Sequence, residues 1–303
     1  MTASHLLMSA DGPEVSRIIV GLMRLHEWEL TPDELRDWIE ACLEMGVTTF
    51  DHADIYGSYT NEARFGEALA LDESLRERMV LISKCNIMLE SDNRPGTYVH
   101  HYNTSYNHII KSAEQSLWNL HTDYLDLLLI HRPDPLMNAD EVARALTDLR
   151  ETDKVRYVGV SNFTPHQFAL LQSRLDFPLV TNQVECSVLH LDALHDGTFD
   201  QCQQTRIAPM VWSPLAGGAI FNPQTEQEHR VQRALASVGE QLGGATLDQV
   251  ALAWLMRHPV KMLPVLGTGK IERVRAAVDA EQYKLDRQQW FSIWEASAGH
   301  EVP

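Results

Sequence analysis

Eight short apolar runs recur along this chain, over residues 18–22, 47–50, 79–84, 125–130, 155–160, 179–184, 207–212 and 262–266. They are continuous rather than alternating, the pattern of strands buried on both faces of a parallel sheet. Segments of helical period lie between them. Leu35, Trp38, Ile39, Cys42 and Leu43 fall on one helix face, as do Ile109, Ile110, Ala113, Leu117 and Leu120, and then Val142, Ala145, Leu146 and Leu149. Thr31-Pro32-Asp33-Glu34 predicts a capping box with proline at the first helical position. Further capping boxes are predicted at Asn138 with Glu141, Thr164 with Gln167, and Thr246 with Gln249. Eight strand–helix repeats predict an α/β fold, a closed (β/α)8 TIM barrel rather than an open sheet.

No Gly-, Ser- or Pro-rich stretch is long enough to be a linker, so residues 1–303 are read as a single domain. An N-terminal segment precedes the first strand. Extra C-terminal helices are expected around Val231, Leu235 and Val238, and around Trp290, Ile293 and Trp294. Two long intervals, 86–103 and 214–244, leave the carboxyl ends of strands and are read as pocket walls.

The net charge of −17 repels phosphates, which argues against nucleic acid and anionic membranes as partners. No apolar run approaches the roughly 20 residues of a spanning helix. Residues 1–11 lack the basic start and apolar centre of a secretion signal. Cys42, Cys85, Cys186 and Cys202 are scattered without metal-binding or disulfide spacing, which suits a cytoplasmic protein without a metal. They are read as packing residues, with Cys85, next to Lys84, the one placed to be reactive. His100-His101 reads as a solvated pair.

A barrel presents its chemistry where its strands end. Asp51, Lys84 and His131 stand at three such ends, and Tyr56-Gly57 follows Asp51 closely. A phenol, with an ordinary pKa of about 10, is a poor acid at neutral pH unless assisted. An ammonium beside it favours the phenolate and lowers that pKa. Lys84 supplies this charge, Asp51 holds Lys84, and His131 orients a substrate oxygen. Such a set suits protonation of a carbonyl oxygen as negative charge develops there. It lacks a reductant. Trp212 flanked by Ser161, Asn162 and Gln183 suits a flat ring bearing a carboxamide. Gly267-Thr268-Gly269-Lys270, opening a helix that carries Arg273, suits a phosphate. The GxGxxG pattern after the first strand is absent.

Five pieces in order, Phe50-Asp51-x-Ala53-x-x-Tyr56-Gly57, Asp123-Tyr124-x-Asp126-Leu127-x-x-Ile130-His131, Gly159-x-Ser161-Asn162, Asn182-Gln183-Val184 and Ser213-Pro214-Leu215, resemble the aldo-keto reductase family. Within it they are similar to the bacterial YdhF-type oxidoreductase branch, from about residue 18 to the C-terminus. The resemblance implies NADPH-dependent reduction of a small aldehyde or ketone to an alcohol. Tyr56 is then the general acid, with Lys84 and Asp51 tuning it and His131 orienting the carbonyl. It implies that Ser161, Asn162 and Gln183 bind the nicotinamide carboxamide, that Trp212 stacks on the ring, and that Met23 and Arg24 sit near its ribose. Ser213 and Leu215 join the cofactor site. The segment containing Gly267, Thr268, Gly269, Lys270 and Arg273 holds the adenosine phosphates, Arg273 being placed for the 2′-phosphate. The resemblance also implies a monomer. The chain departs from the family at His52, where many relatives have Thr or Ser, and at Ala276 and Ala277, where polar residues often face the adenine. The loop after His131 is short, which predicts an open pocket.

Two other readings fit the same residues. Lys84 is a Schiff-base nucleophile in an aldolase-like lyase, or the scaffold holds cofactor as a redox sensor for a partner protein.

Overall fold

The computed structural model describes residues 1–303. Strands β1 (His5–Leu7) and β2 (Glu14–Ser16) form an antiparallel hairpin before the barrel begins at β3 (Ile19–Gly21). Helix α1 (Pro32–Glu44) follows, then β4 (Thr49–Asp51), the one-turn α2 (Tyr56–Tyr59), α3 (Asn61–Leu69) and α4 (Ser74–Glu77). After β5 (Val80–Cys85) comes a second hairpin, β6 (Ile87–Met88) with β7 (His101–Tyr102), and then α5 (Tyr106–Asn119). The regular alternation resumes with β8 (Leu125–Ile130), α6 (Ala139–Glu151), β9 (Val155–Ser161), α7 (Pro165–Gln172), β10 (Leu179–Glu185) and α8 (Thr198–Thr205). Strand β11 (Met210–Trp212) precedes two helices, α9 (Glu226–Gln241) and α10 (Leu247–Met256). Strand β12 (Leu263–Leu266), α11 (Ile271–Asp279) and α12 (Arg287–Ala298) complete the chain. Strands β3, β4, β5, β8, β9, β10, β11 and β12 close into one parallel barrel, the TIM-barrel architecture the eight runs predict.

The α1 stripe is buried at all five expected positions, Leu35, Trp38, Ile39, Cys42 and Leu43. Its capping box forms as read, with the Thr31 N–H donating to Glu34 Oε2 at 2.8 Å. The boxes at Thr164 and Thr246 form too. At Asn138 only half is built. Its side chain accepts from the N–H groups of Asp140 and Glu141, but the Glu141 carboxylate turns to the Tyr106 N–H on the neighbouring helix at 3.3 Å. A tertiary donor has outcompeted the local one.

Inside the barrel, Ile19, Ile82, Leu127, Leu129, Val180, Met210, Leu263 and Val265 pack together. Met8 and Val15 of the N-terminal hairpin join this cluster, and the Met8 carbonyl accepts from the Ala208 N–H at 2.7 Å. The hairpin therefore closes the amino end, so the opposite end is the open one. There the inward positions turn polar, with Asp51, Lys84, Ser161 and Gln183 all buried. The outer, larger core lies between strands and helices.

The long intervals behave differently from each other. Residues 86–103 hold the β6–β7 hairpin and form a wall at the open end. In 214–244, only the turn at Ala216–Gly218 stays by the strand ends, while α9 packs on α12 and α10 and belongs to the outer sheath. The tail docks on the barrel as expected. Trp290 stacks on Trp254 at 4.7 Å, and each indole N–H donates to the other residue's carbonyl. No helix is long and apolar enough to cross a membrane.

Candidate active site

Strand β4 delivers Asp51 to the mouth, and the chain turns within four residues to present Tyr56. Gly57 makes the turn possible. Its φ is +58°, and a Cβ there would lie 2.0 Å from Asn61 Oδ1, closer than any side chain tolerates. Asn61 in turn donates to the carbonyls of Leu22 and Met23 at 2.8 and 3.0 Å. The Tyr56 turn is thus tied to the exit of the first barrel strand. Nothing in the sequence around Asn61 announces this role.

Lys84 is fully buried and its ammonium donates three hydrogen bonds, to Asp51 Oδ2 at 2.7 Å, the His52 carbonyl at 2.8 Å and the Tyr56 hydroxyl at 3.0 Å. An ammonium has three N–H donors, so all are engaged. The Tyr56 oxygen accepts from Lys84, and its own proton points elsewhere. The rings of Tyr56 and His131 lie 6.0 Å apart and nearly perpendicular. The four residues read as a catalytic set therefore meet at one mouth, three of them in direct hydrogen-bond contact.

Burial acts on each group before charge does. It pulls Lys84 down, but Asp51 and Tyr56 outweigh it and hold the ammonium above the ordinary lysine value. Burial raises the Tyr56 phenol, Lys84 opposes that rise, and the phenol remains above its ordinary value. The lowered phenol pKa expected from the sequence is therefore corrected: dehydration of the phenolate exceeds the pull of the ammonium. Burial, then Lys84, then Arg132 push His131 well below 6.5, so its imidazole is neutral.

Gln183 has a role the sequence did not suggest. Its Nε2 donates to Asp51 Oδ1 at 3.1 Å, so the two carboxylate oxygens are divided between Gln183 and Lys84. The other residues of the expected carboxamide site form a chain. Ser161 donates to the Gln183 carbonyl at 2.8 Å, Asn162 donates to the Ser161 hydroxyl at 2.8 Å, and the Trp212 indole donates to Asn162 Oδ1 at 3.0 Å. Ser213, at φ +52°, starts the turn that carries the half-buried Leu215.

Met23 and Arg24 are exposed on the rim, and so are Gly267, Lys270 and Arg273. Thr268 Oγ accepts from the Lys270 N–H at 3.2 Å, and Lys270 caps α11. Gly269 lies flat on Trp28, where a Cβ would come within 2.5 Å of the ring. A side chain there would push the loop outward, so the glycine keeps the backbone close to the rim. None of these residues bonds to the Tyr56 group. Ala277 is buried against Ile18, Leu252 and Leu266, which takes it out of contact with any ligand.

Cys85 is not a reactive thiol. Burial, then Asp54 and Glu62, raise it well above 9.0. Behind Lys84 lies a buried polar layer absent from the sequence reading. Asp54 accepts from Ser112, and burial lifts its carboxyl to about 7. Glu62 accepts from Ser83. Both ring nitrogens of His52 lack partners, and its ring packs 4.5 Å from Phe65. Ser83 lies within a strand run and Glu62 and Ser112 lie on helices, but their polar side chains do not announce burial.

The family model described as the aldo/keto reductase family matches residues 17–298. The oxidoreductase YdhF of Escherichia coli (strain K12) is 55% identical over 299 residues, covering 99% of both chains. A 6-dehydroglucose reductase of Agrobacterium fabrum is 44% identical over 97% of this chain and 98% of its own. Among solved structures, the thermostable aldo-keto reductase Tm1743 in complex with the inhibitor epalrestat superposes with a TM-score of 0.82, at 24% identity, over 97% of this chain and 99% of that one. That last likeness speaks to the fold.

Proposed function

This chain belongs to the aldo/keto reductase family, and from that premise we propose that it reduces an aldehyde or ketone to an alcohol with NADPH, Tyr56 giving the proton. The observation that carries the reading is the saturated ammonium of Lys84. Because Tyr56 accepts from Lys84, its proton is available to a carbonyl oxygen at the mouth. As negative charge grows on that oxygen, Tyr56 transfers its proton, and Lys84 steadies the phenolate left behind. Asp51, held by Gln183, keeps Lys84 charged and in place. Neutral His131 donates to the same oxygen and sets its direction. A bound nicotinamide dinucleotide supplies the hydride.

The residues fit such a cofactor. Trp212 offers an anchored flat ring beside Ser161, Asn162 and Gln183. At the rim, Gly269 keeps the backbone low, and neither Lys270 nor Arg273 forms an ion pair although the chain is strongly acidic. Two unpaired cations at a helix start favour the additional phosphate of NADPH over NADH.

The sugar substrate in the name of the Agrobacterium relative favours a polar carbonyl compound. The aldolase alternative meets a physical obstacle: Lys84 is held protonated, and a charged amine is no nucleophile.

The test is NADPH and NADH titration followed by a panel of carbonyl compounds, read as loss of nicotinamide absorbance. Turnover dependent on both NADPH and a carbonyl is expected. Absence of nicotinamide binding would contradict the reading.

A further inference from the structure

Most arginines that are not exposed have found partners. Arg17, Arg76 and Arg230 donate to backbone carbonyls, Arg76 also to Asp126, and Arg36 pairs with Asp33 and Asp37. Arg132 is half-buried and makes neither a side-chain hydrogen bond nor an ion pair with the protein. The chain has 42 acidic residues against 25 basic ones, so carboxylates are in ample supply. A partly dehydrated charge left without one costs stability and calls for a reason.

The position of Arg132 supplies a reason. It directly follows His131, and its guanidinium lies 5.6 Å from the centre of the Trp212 ring. Its backbone is clamped on both sides by Asn86, which accepts from the Arg132 N–H at 3.0 Å and donates to the Arg132 carbonyl at 2.9 Å. Asn86 is itself buried in a left-handed conformation, φ +97°. Trp212 is pinned by Asn162. Asp134, the acid nearest to it in sequence, accepts from the Thr104 hydroxyl and the Leu136 N–H, both at 2.8 Å, and forms no ion pair with Arg132. The frame around Arg132 is rigid while its donors stay free.

We propose that Arg132 receives a carboxylate on the substrate, so that the preferred carbonyl compound is an aldehyde or ketone that is also an acid. The proposal rests on the reductase reading and names the substrate class of that site. A guanidinium matches a carboxylate with two parallel N–H bonds. Lys84 cannot compete for that anion because its donors are spent.

The experiment compares 4-carboxybenzaldehyde with its methyl ester, two probes of one shape that differ in charge. The wild type should prefer the acid in kcat/KM. Arg132→Leu should reduce that acid-to-ester preference roughly 10–100-fold, the scale of a hydrogen bond to a charged group. Arg132→Lys, which keeps the charge but not the fork, should fall between and also guards against a leucine variant that does not fold. A preference unchanged in both variants, or a loss traced to weaker NADPH binding, would overturn the proposal. Titration of 4-(hydroxymethyl)benzoate into the NADPH-loaded protein, where no hydride acceptor is present, reads the same site without turnover. Binding that depends on Arg132 while wild type reduces neither probe would support the anion site and contradict the reductase reading. Binding indifferent to Arg132 would overturn the site itself.

Discussion

The Lys84 ammonium lies 2.7 Å from the Asp51 carboxylate, and neither side chain is more than 3% exposed. Such a pair is expensive to dehydrate, and replacing it by apolar residues is often neutral or better for stability. Its worth here is positional. Asp51 faces Gln183 on its other side, and Lys84 faces Tyr56, so the pair transmits fixed geometry to the phenol.

Breaking the pair from one side should therefore be severe. Lys84→Met leaves Asp51 buried without a counterion and is expected to cost about 3–5 kcal/mol. The double variant with Asp51→Leu should recover much of that stability and none of the activity. Denaturant unfolding beside turnover measurements separates the two effects. A Lys84→Met loss no larger than the roughly 1 kcal/mol of a surface pair would contradict the burial argument.

His52 gives a pH signature. Burial, then the charge of Lys84, lowers its pKa from 6.5 to about 3. In the unfolded chain it takes up a proton near its ordinary value, while in the folded chain it does not. Its contribution is therefore complete above about 6.5 and is lost progressively as pH falls from there towards 3. His52→Leu should flatten the fall of stability over that window, read from denaturation midpoints at several pH values. An unchanged slope would mean that His52 does not titrate as its burial requires.

The strand ends were legible because three separate runs each stop on a chemically distinctive side chain, and barrel closure brings such ends together. Asp51, Lys84 and His131 needed only the count of eight. The Gln183–Asp51 contact was not legible, because those residues are 132 apart in sequence and pair only once the barrel closes. The Tyr56 shift runs opposite to the sequence expectation for a related reason. A neighbouring charge can be read from a motif, whereas the depth of burial that opposes it belongs to the whole fold. The β1–β2 hairpin is too short to carry an alternating signal, so the plug at the amino end emerged only from its packing.

Cofactor choice should follow Arg273. Arg273→Ala removes an unpaired cation at the start of α11 and should weaken NADPH roughly tenfold or more, the scale of a charged hydrogen bond, with a smaller effect on NADH. Fluorescence titration of both cofactors checks this. Equal losses would place the 2′-phosphate elsewhere.

The central claim is that the proton comes from Tyr56 alone. Tyr56→Phe keeps the ring, the turn and the Lys84–Asp51 pair while deleting one oxygen. Turnover of a carbonyl probe under saturating NADPH should drop by roughly 10²–10⁴, the usual scale of general acid catalysis, with NADPH affinity retained. Turnover close to wild type in that variant would contradict the account.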